Sequence, residues 1–239
     1  MSTLYIIGAP AGSLEDISLR ALRVLGEVDF ILGEALPAAK KLLDHFKIKT
    51  ALIDYDKIEY IIALLADGKN IALVSESGLP GVSDWSGKLA LTVRKKFSGQ
   101  TGAVSVELIP YPSAVTAALA ISGLIADRFI FMGWPPHKNV RHDFIRRVLD
   151  SDYPAVIYES RLDLELFLKE LRKAAGENRV ANQKGELELM PINLILVAVY
   201  RELIKMRETV YRGEIDRIIE KIKDNKDDQK GEYIVIIGK

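Results

Sequence analysis

The stretch that decides the fold runs from residue 70 to residue 87 and reads NIALVSESGLPGVSDWSG. Its apolar part, IALVS at 71–75, is a short run typical of a buried strand. The part that follows, SESGLPGVSD at 75–84, is dense in glycine, serine and proline. A strand that is apolar throughout and ends in such a loop is typical of a parallel sheet covered by helices on both faces. The stretch therefore predicts an α/β domain.

The same alternation of strand and helix continues on both sides of this segment. Further strands are predicted for apolar runs at 3–9, 28–34, 50–54 and 106–110. From Arg128 onward the character of the chain changes, and a second series of strands and helices is predicted. We therefore expect two α/β domains. The first, 1–124, is expected to contain a mostly parallel sheet, and the second, 125–239, a mixed sheet with helices.

The charge balance limits how the protein could hold a nucleic acid. The chain has 33 basic and 33 acidic side chains, so its formal net charge is zero. A protein that holds nucleic acid by charge alone is normally basic, so an RNA partner would have to meet a local patch. The best candidate is HKNVRHDFIRR at 137–147, in which Lys138 and Arg141 are predicted substrate contacts. A solvated helix face is the alternative interpretation of such a run.

Several functional classes are disfavoured by what the sequence lacks. There are no cysteines, which excludes disulfides, cysteine-ligated zinc and a thiol nucleophile. The three histidines do not have metal-ligand spacing, so we expect no metal site. No apolar run approaches the length of a membrane span, and the N-terminal residues do not resemble a signal peptide. A cytoplasmic protein that does not contact a membrane is therefore expected.

Three loops follow predicted strands directly and share the same chemistry. They are APAGSLED at 9–16, SESGLPGVSD at 75–84 and PYPSAV at 110–115. In open parallel sheets, ligands bind beyond the carboxyl ends of the strands, where such loops meet. Connecting loops are often rich in these residues, so a simple turn is the alternative for each loop. No GxxxxGK[ST] or GxGxxG motif is present, which disfavours an NTPase and an ordinary dinucleotide enzyme.

Six motifs, taken in chain order, resemble those of one family. They are LYIIGAPAGSLEDISLRALRVL (4–25), NIALVSESGLPGVSDWSG (70–87), YPSAVTAALAISGLIADRFIFMGWPP (111–136), YESRLDL (158–164), RELIKMRET (201–209) and KGEYIVIIG (230–238). They are similar to the motifs of the ribosomal small-subunit methyltransferase I family, which methylates the 2′-hydroxyl of a cytidine in 16S ribosomal RNA with S-adenosylmethionine. The resemblance covers nearly the whole chain and implies the two-domain tetrapyrrole-methylase-like fold.

The chain departs from the motifs of that family at several positions. The family loop EDTRxTxxLL is matched by GEALPAAKKLL at 33–43, which keeps the glutamate, Glu34, but lacks the aspartate, threonine and arginine that follow it in the family. In the second loop Glu76 replaces an aspartate, and in the third loop Tyr111 replaces the glycine of a PGP motif. The chain is therefore identified as a divergent member of the family. We expect Glu34 and Asp84 to contact the substrate.

The resemblance also implies a cofactor and the residues that would hold it. S-adenosylmethionine would lie in the cleft between the two domains, largely against backbone groups. The implied contacts are Pro10, Ser77, Gly78, Pro80, Ser113, Ala114, Met132, Gly133 and Tyr158.

Methyl transfer to a hydroxyl group requires alignment of the reactants and gains from a proton acceptor, because a neutral alcohol is a weak nucleophile. Glu202 and Glu208 lie in the matched motif at 201–209 and are predicted to serve catalysis. Arg201 and Lys205 of the same motif are predicted to position phosphate. An ordinary amphipathic ending to a strand is the alternative for this segment.

Three functions remain open at this point. The first is methylation of a cytidine ribose in 16S ribosomal RNA, with the small ribosomal subunit as partner. The second is methylation of another substrate, such as a tetrapyrrole or a protein, by an enzyme of the same fold. The third is a binding module that keeps the cofactor but does not catalyse transfer. The resemblance further implies a homodimer.

Overall fold

Both halves of the chain contain an α/β sheet structure. The computed structural model describes residues 1–10, 12–54, 57–76, 78–84, 86–99, 103–137, 140–177, 179–181, 187–189, 195–205, 207–225 and 231–238. The chain divides into two compact units, Met1–Ser113 and Ala114–Lys239, each with a five-stranded sheet. The predicted α/β fold class is confirmed.

The first unit is built on a sheet in which all neighbouring strands are parallel. Its strands are β1 (Ser2–Ile7), β2 (Phe30–Gly33), β3 (Ala51–Asp54), β4 (Ile71–Val74) and β5 (Val104–Ile109). Their order across the sheet is β3-β2-β4-β1-β5. Because the strands are parallel, their carboxyl ends all lie at one edge of the sheet. The loops that follow β1, β4 and β5 therefore start from neighbouring strands.

Helices cover both faces of this first sheet. They are α1 (Leu19–Glu27), α2 (Leu36–His45), α3 (Ile58–Ala66) and α4 (Gly87–Lys96). Helix α1 begins at Ser18, whose hydroxyl accepts a hydrogen bond from the Ala21 amide at 3.1 Å. Side chains of α1 and α2 pack with Ile7 and Val74 on one face, and those of α3 and α4 pack with Leu4 and Leu73 on the other. Burial on both faces explains why these strands are apolar throughout.

The second unit contains a mixed sheet. Its strands are β6 (Ile130–Gly133), β7 (Ala155–Ser160), β10 (Leu196–Arg201), β11 (Thr209–Glu214) and β12 (Glu232–Gly238), in the order β11-β10-β12-β7-β6. Only β6 and β7 are parallel, and the other neighbours are antiparallel. A separate antiparallel pair consists of β8 (Arg179–Ala181) and β9 (Leu187–Leu189).

The helices of the second unit lie on both faces of its sheet. They are α5 (Ala114–Ser122), α6 (Arg141–Asp150), α7 (Arg161–Glu177) and α8 (Ile215–Asp224). Side chains of α6, α7 and α8 form a core with one face, which includes Ile157 and Val235. Helix α5 packs on the opposite face, where Val115, Ala118 and Leu119 lie among side chains of β7, β10 and β12.

The position of α5 differs from the sequence-based division. The expected first domain, 1–124, includes this helix, whereas its buried side chains belong to the core of the second unit. A helix of small residues can cover either sheet, and its sequence does not reveal which one. The domain boundary after residue 124 stays a prediction.

Among the helices in the described ranges, none has the length and apolar character needed to cross a membrane.

Candidate functional site

The first two loops at the carboxyl edge of the first sheet are joined by backbone hydrogen bonds. The Ala9 amide donates to the Gly78 carbonyl at 2.8 Å, and the Gly78 amide donates back to the Ala9 carbonyl at 2.9 Å. Gly78 has a φ of 74°, which favours glycine. The side-chain hydroxyl of Ser75 also donates to the Gly78 carbonyl, at 2.7 Å. The structure thus brings the loops that carry Pro10 and Gly78 together.

The third loop lies directly on the first. A Cβ atom at Gly8 would be 2.2 Å from Cβ of Tyr111 and 3.2 Å from the Gly78 carbonyl oxygen. Such a distance between carbon atoms is far inside van der Waals contact. Gly8 is buried and Tyr111 is half-buried. All three predicted loops therefore meet at this edge, as their positions after neighbouring strands predicted.

The second loop is open at Gly78. Apart from the residues adjacent to it in the chain, no described atom lies within 4 Å of the position that a Cβ would take there. The backbone at Gly78 can therefore be approached closely. Pro10 in the first loop and Ser113 in the third loop are half-buried, and Pro80 in the second loop is buried.

Asp84 is occupied by its own loop. Both of its carboxylate oxygens accept a hydrogen bond from the Gly81 amide at 2.9 Å. Its Oδ1 atom also accepts from the Ser86 amide at 2.7 Å and from the Ser86 hydroxyl. These bonds close the turn that leads from the second loop into α4. The structure gives Asp84 the role of shaping this loop, while its predicted substrate contact stays a prediction.

Glu34 lies beside the second loop. Its amide donates to the Val74 carbonyl at 3.0 Å, and its Oε2 atom accepts from the Glu76 amide at 3.2 Å. The side chain is half-buried at the carboxyl end of β2. Three other predicted site residues are placed differently. Ser77 and Lys138 lie outside the described residues, and Ala114 begins α5 in the second unit.

In the second unit, aromatic side chains gather at the carboxyl ends of β6 and β7. The ring of Tyr158 contacts Phe131 and Trp134, with centroids 5.0 Å and 5.5 Å apart. Trp134 follows Gly133, which has a φ of 66°, and its side chain is 45% exposed. Met132, the residue before Gly133, packs against the core. Burial raises the pKa of Tyr158, and the Glu232 carboxylate adds to the rise, so its hydroxyl is neutral at physiological pH.

The turn that follows β10 contains three of the four predicted catalytic residues, and the fourth, Arg201, is the last residue of β10. It lies at the same edge of the second sheet, because Arg201 pairs with Tyr233 of β12, which in turn pairs with Glu159 of β7. Two residues of the turn, Glu202 and Ile204, have positive φ values of 49° and 66°. A positive φ at a β-branched residue such as Ile204 is strained, so other contacts must hold this turn in place.

Carboxylates of the turn provide those contacts. Oε2 of Glu208 accepts a hydrogen bond from the Ile204 amide at 2.7 Å. Oε1 of Glu202 accepts from the Glu232 amide at 2.9 Å and from Nζ of Lys205 at 3.2 Å. It also fills the space beside Gly231, where a Cβ would lie 2.7 Å from it. Glu202 is thus held at three places, whereas Glu208 remains exposed.

Arg201 and Lys205 differ in accessibility. Arg201 is buried, and its Nη1 atom donates to the Arg207 carbonyl at 3.3 Å. Lys205 is partly exposed and lies 3.2 Å from Glu202 and 3.7 Å from Glu232. Of these two cations, only Lys205 has a charged group that reaches the surface of the second unit.

Arg141 lies inside the second unit, and it does not extend the exposed basic face that the sequence suggests. Only 4% of the residue is exposed. Its Nε atom donates to the Pro136 carbonyl at 3.1 Å, and its Nη2 atom donates to Oδ1 of Asp163 at 3.1 Å. Its Nη1 atom is 3.8 Å from Oε2 of Glu170. The guanidinium group therefore ties the segment before α6 to α7.

Glu159 is a buried acid near the end of β7. Only 3% of it is exposed, its Oε1 atom accepts from the Ser160 amide at 2.7 Å, and its Oε2 atom has no hydrogen-bond partner in the described part of the chain. Burial raises its pKa to about 7, against the opposing effects of the Ser160 amide and Arg141. The alternation of AVIYES is a signal for this burial, since Ala155, Ile157 and Glu159 must share one face of β7.

Known proteins are similar to this chain in sequence and in fold. The family model of tetrapyrrole (corrin/porphyrin) methylases matches residues 3–184. A solved diphthine synthase structure has a TM-score of 0.70 at 14% identity and covers 100% of this chain and 90% of its own, which shows a shared fold.

Two curated relatives are similar over almost their whole length. The ribosomal RNA small subunit methyltransferase I of Thermotoga maritima is 30% identical over 244 residues, which span 100% of this chain and 99% of the relative. The protein of the same name from Coprothermobacter proteolyticus is 34% identical over 241 residues, which span 98% of this chain and 96% of the relative. The chain is therefore a methyltransferase that belongs to the ribosomal RNA small subunit methyltransferase I family of the tetrapyrrole methylases.

Proposed function

We propose that the protein transfers a methyl group from S-adenosylmethionine to the 2′-hydroxyl of a cytidine in 16S ribosomal RNA. The observation that carries this proposal is the similarity to named ribosomal RNA small subunit methyltransferases across both units. A shared fold alone would not support it, since folds of this kind host several substrates. The small ribosomal subunit is the proposed partner.

The first unit supplies the proposed floor of the cofactor site. Pro10, Gly78, Pro80 and Ser113 belong to three loops that contact one another, and the position beside Gly78 is open. Backbone groups of this kind recognise a ligand without a charged side chain. Ser77 and Ala114 complete the proposed contacts from this part of the sequence. S-adenosylmethionine, when bound, supplies an electrophilic methyl group on a sulfonium centre.

The second unit supplies further proposed contacts and the groups that serve transfer. Met132, Gly133 and Tyr158 lie at the edge where β6 and β7 end, together with the turn after β10. The part of this chain in the proposed reaction would be to accept the proton of the ribose hydroxyl as its oxygen takes the methyl group. The exposed carboxylate of Glu208 is the proposed acceptor. Glu202 holds the strained turn, and Arg201 and Lys205 are proposed to favour phosphate nearby.

The remaining proposed substrate contacts are Glu34, Asp84, Lys138 and Arg141. Glu34 is half-buried beside Glu76, so it lies close to the proposed cofactor floor. Asp84 and Arg141 would act indirectly, through the loop and the segment that they hold. A homodimer in the cytoplasm, where ribosomal subunits are assembled, is the proposed working state, and sedimentation of the purified protein tests the dimer.

The proposal is tested by measuring both binding and transfer. Calorimetry should show S-adenosylmethionine bound with a dissociation constant in the micromolar range that is usual for enzyme substrates. Radiolabelled methyl should then enter 16S ribosomal RNA when small subunits are supplied. Transfer to a tetrapyrrole or a protein instead would overturn the RNA substrate, and binding without transfer to any of these would overturn catalysis.

A matched pair of glycine variants tests where the cofactor binds. Gly78→Ala places a side chain in the open position of the second loop and should weaken cofactor binding at least tenfold. Gly68→Ala is the control, because Gly68 has a similar φ of 82° and the same open surroundings, but precedes β4 instead of following it. Both variants carry similar backbone strain. Equal cofactor affinity in the two variants would contradict a site at Gly78.

A further inference from the structure

The contact between Gly8 and Tyr111 links two of the loops in an unusual way. Gly8 does not have a positive φ, so the left-handed conformation that favours glycine is not the reason for a glycine at this position. What excludes a side chain there is the neighbouring loop, because a Cβ at Gly8 would lie 2.2 Å from Cβ and 2.9 Å from Cγ of Tyr111. The glycine is therefore required by the tyrosine.

The clash involves an atom that cannot move alone. Cβ of Tyr111 is fixed to the backbone, so relief would require one of the two loops to shift. The first loop is held to the second by the two hydrogen bonds between Ala9 and Gly78, and Ala9 is the residue next to Gly8. A Cβ at Gly8 would also lie 3.2 Å from the Gly78 carbonyl oxygen. A shift at Gly8 would therefore disturb the hydrogen-bonded pair.

We propose that Gly8 and Tyr111 form an interlocking pair that fixes the three loops relative to one another, which makes Tyr111 a positioning residue for the methyl donor. This inference rests on the proposed function, because it concerns the same loops. Tyr111 acts through the first loop: by filling the space over Gly8 it holds Ala9 and Gly78 where the cofactor backbone contacts are proposed. Preorganised loops of this kind bind a ligand with less loss of entropy.

A set of variants tests the interlock. Gly8→Ala alone should raise the dissociation constant for S-adenosylmethionine by about ten- to a hundredfold, as expected for an overpacked contact. In a Tyr111→Gly background the same substitution should change it by no more than about twofold, because the clashing Cβ is absent. In a Tyr111→Ala background the full loss should persist, because alanine keeps the Cβ.

Two measurements separate the possible failures. Thermal unfolding without ligand should show the same coupling, with Gly8→Ala lowering the midpoint except in the Tyr111→Gly background. If the unaltered protein does not bind S-adenosylmethionine, the proposed function fails, and these midpoints still decide the interlock. If Gly8→Ala has the same effect in the Tyr111→Gly background as alone, the interlock is wrong. Midpoints that fall while the dissociation constants stay unchanged in folded protein would overturn the positioning role.

Discussion

Replacement of the buried acid Glu159 by glutamine should change how the stability of the protein depends on pH. Glu159 lies on the face of β7 that packs against α6 and α7, with Arg141, Asp163 and Glu170 as its charged neighbours. Tyr233 is its partner on the adjacent strand. Burial is the largest influence on this carboxyl group, and it favours the neutral form.

The direction and size of the effect follow from the two states of the chain. The carboxyl group titrates near 4.5 when unfolded and at about 7 when folded. Between these values the folded state binds more protons, so the free energy of unfolding falls as the pH rises from 4.5 to 7. A pKa shift of this size corresponds to about 3 kcal/mol of stability. The folded protein has this contribution in full below pH 4.5 and loses it above pH 7.

Glu159→Gln removes this titration but keeps an oxygen that accepts from the Ser160 amide. Urea unfolding followed by circular dichroism between pH 4.5 and pH 8 should show similar stabilities at the acid end. At pH 8 the variant should be more stable by about 3 kcal/mol. Glu220→Gln is a suitable control, because Glu220 is exposed on α8. Parallel pH profiles for the unaltered protein and Glu159→Gln would refute the reasoning.

Three further predictions concern the candidate site. Arg141→Met should lower the free energy of unfolding by about 2 kcal/mol, since Asp163 and Glu170 lose a buried partner but remain partly exposed. The control Arg146→Met, on the exposed side of α6, should have little effect on it. Equal losses of stability for the two variants in urea unfolding would contradict the assigned burial. Asp84→Ala should lower the free energy of unfolding by about 2 kcal/mol, because the hydrogen bonds to Gly81 and Ser86 are lost. The variant should also be cleaved faster by proteases within this loop. An unchanged rate of cleavage would contradict a loop-shaping role for Asp84. Glu208→Gln should reduce the rate of methyl transfer roughly a hundredfold and leave thermal stability unchanged. Glu202→Gln should lower thermal stability and leave the transfer rate within about threefold of that of the unaltered protein. The reverse pattern in transfer assays would exchange the roles of the two residues.

The first unit was predictable because its sequence signal is local. Parallel strands buried on both faces are apolar throughout, as in Ile71–Val74, and the loop that follows each of them must emerge at one edge. The meeting of the loops around Gly8 and Gly78 follows from that rule. The hydrogen-bonded pair of Ala9 and Gly78 does not, because residues far apart in sequence create it.

Charged residues of the second unit show the limit of sequence reasoning. Arg141 stands in a basic run, yet Asp163 and Glu170, which are distant in sequence, turn it inward. The strands Arg179–Ala181 and Leu187–Leu189 were not predicted, because each is too short to show a period. The sheet that helix α5 covers could not be predicted either, because its small residues would suit a position on either sheet. For Arg141 and for α5, the deciding contacts are with residues distant in sequence.

The order of strands in the second sheet has a consequence for how the protein is made. Strand β12 lies between β10 and β7, although it is synthesised after every other strand of that sheet. Before it emerges from the ribosome, β7 and β10 each have an open edge, and open edges invite pairing with other chains. The first sheet has all its strands once residue 109 is made. During translation, therefore, the first sheet can form early, while the second sheet cannot be completed until the last strand has been made.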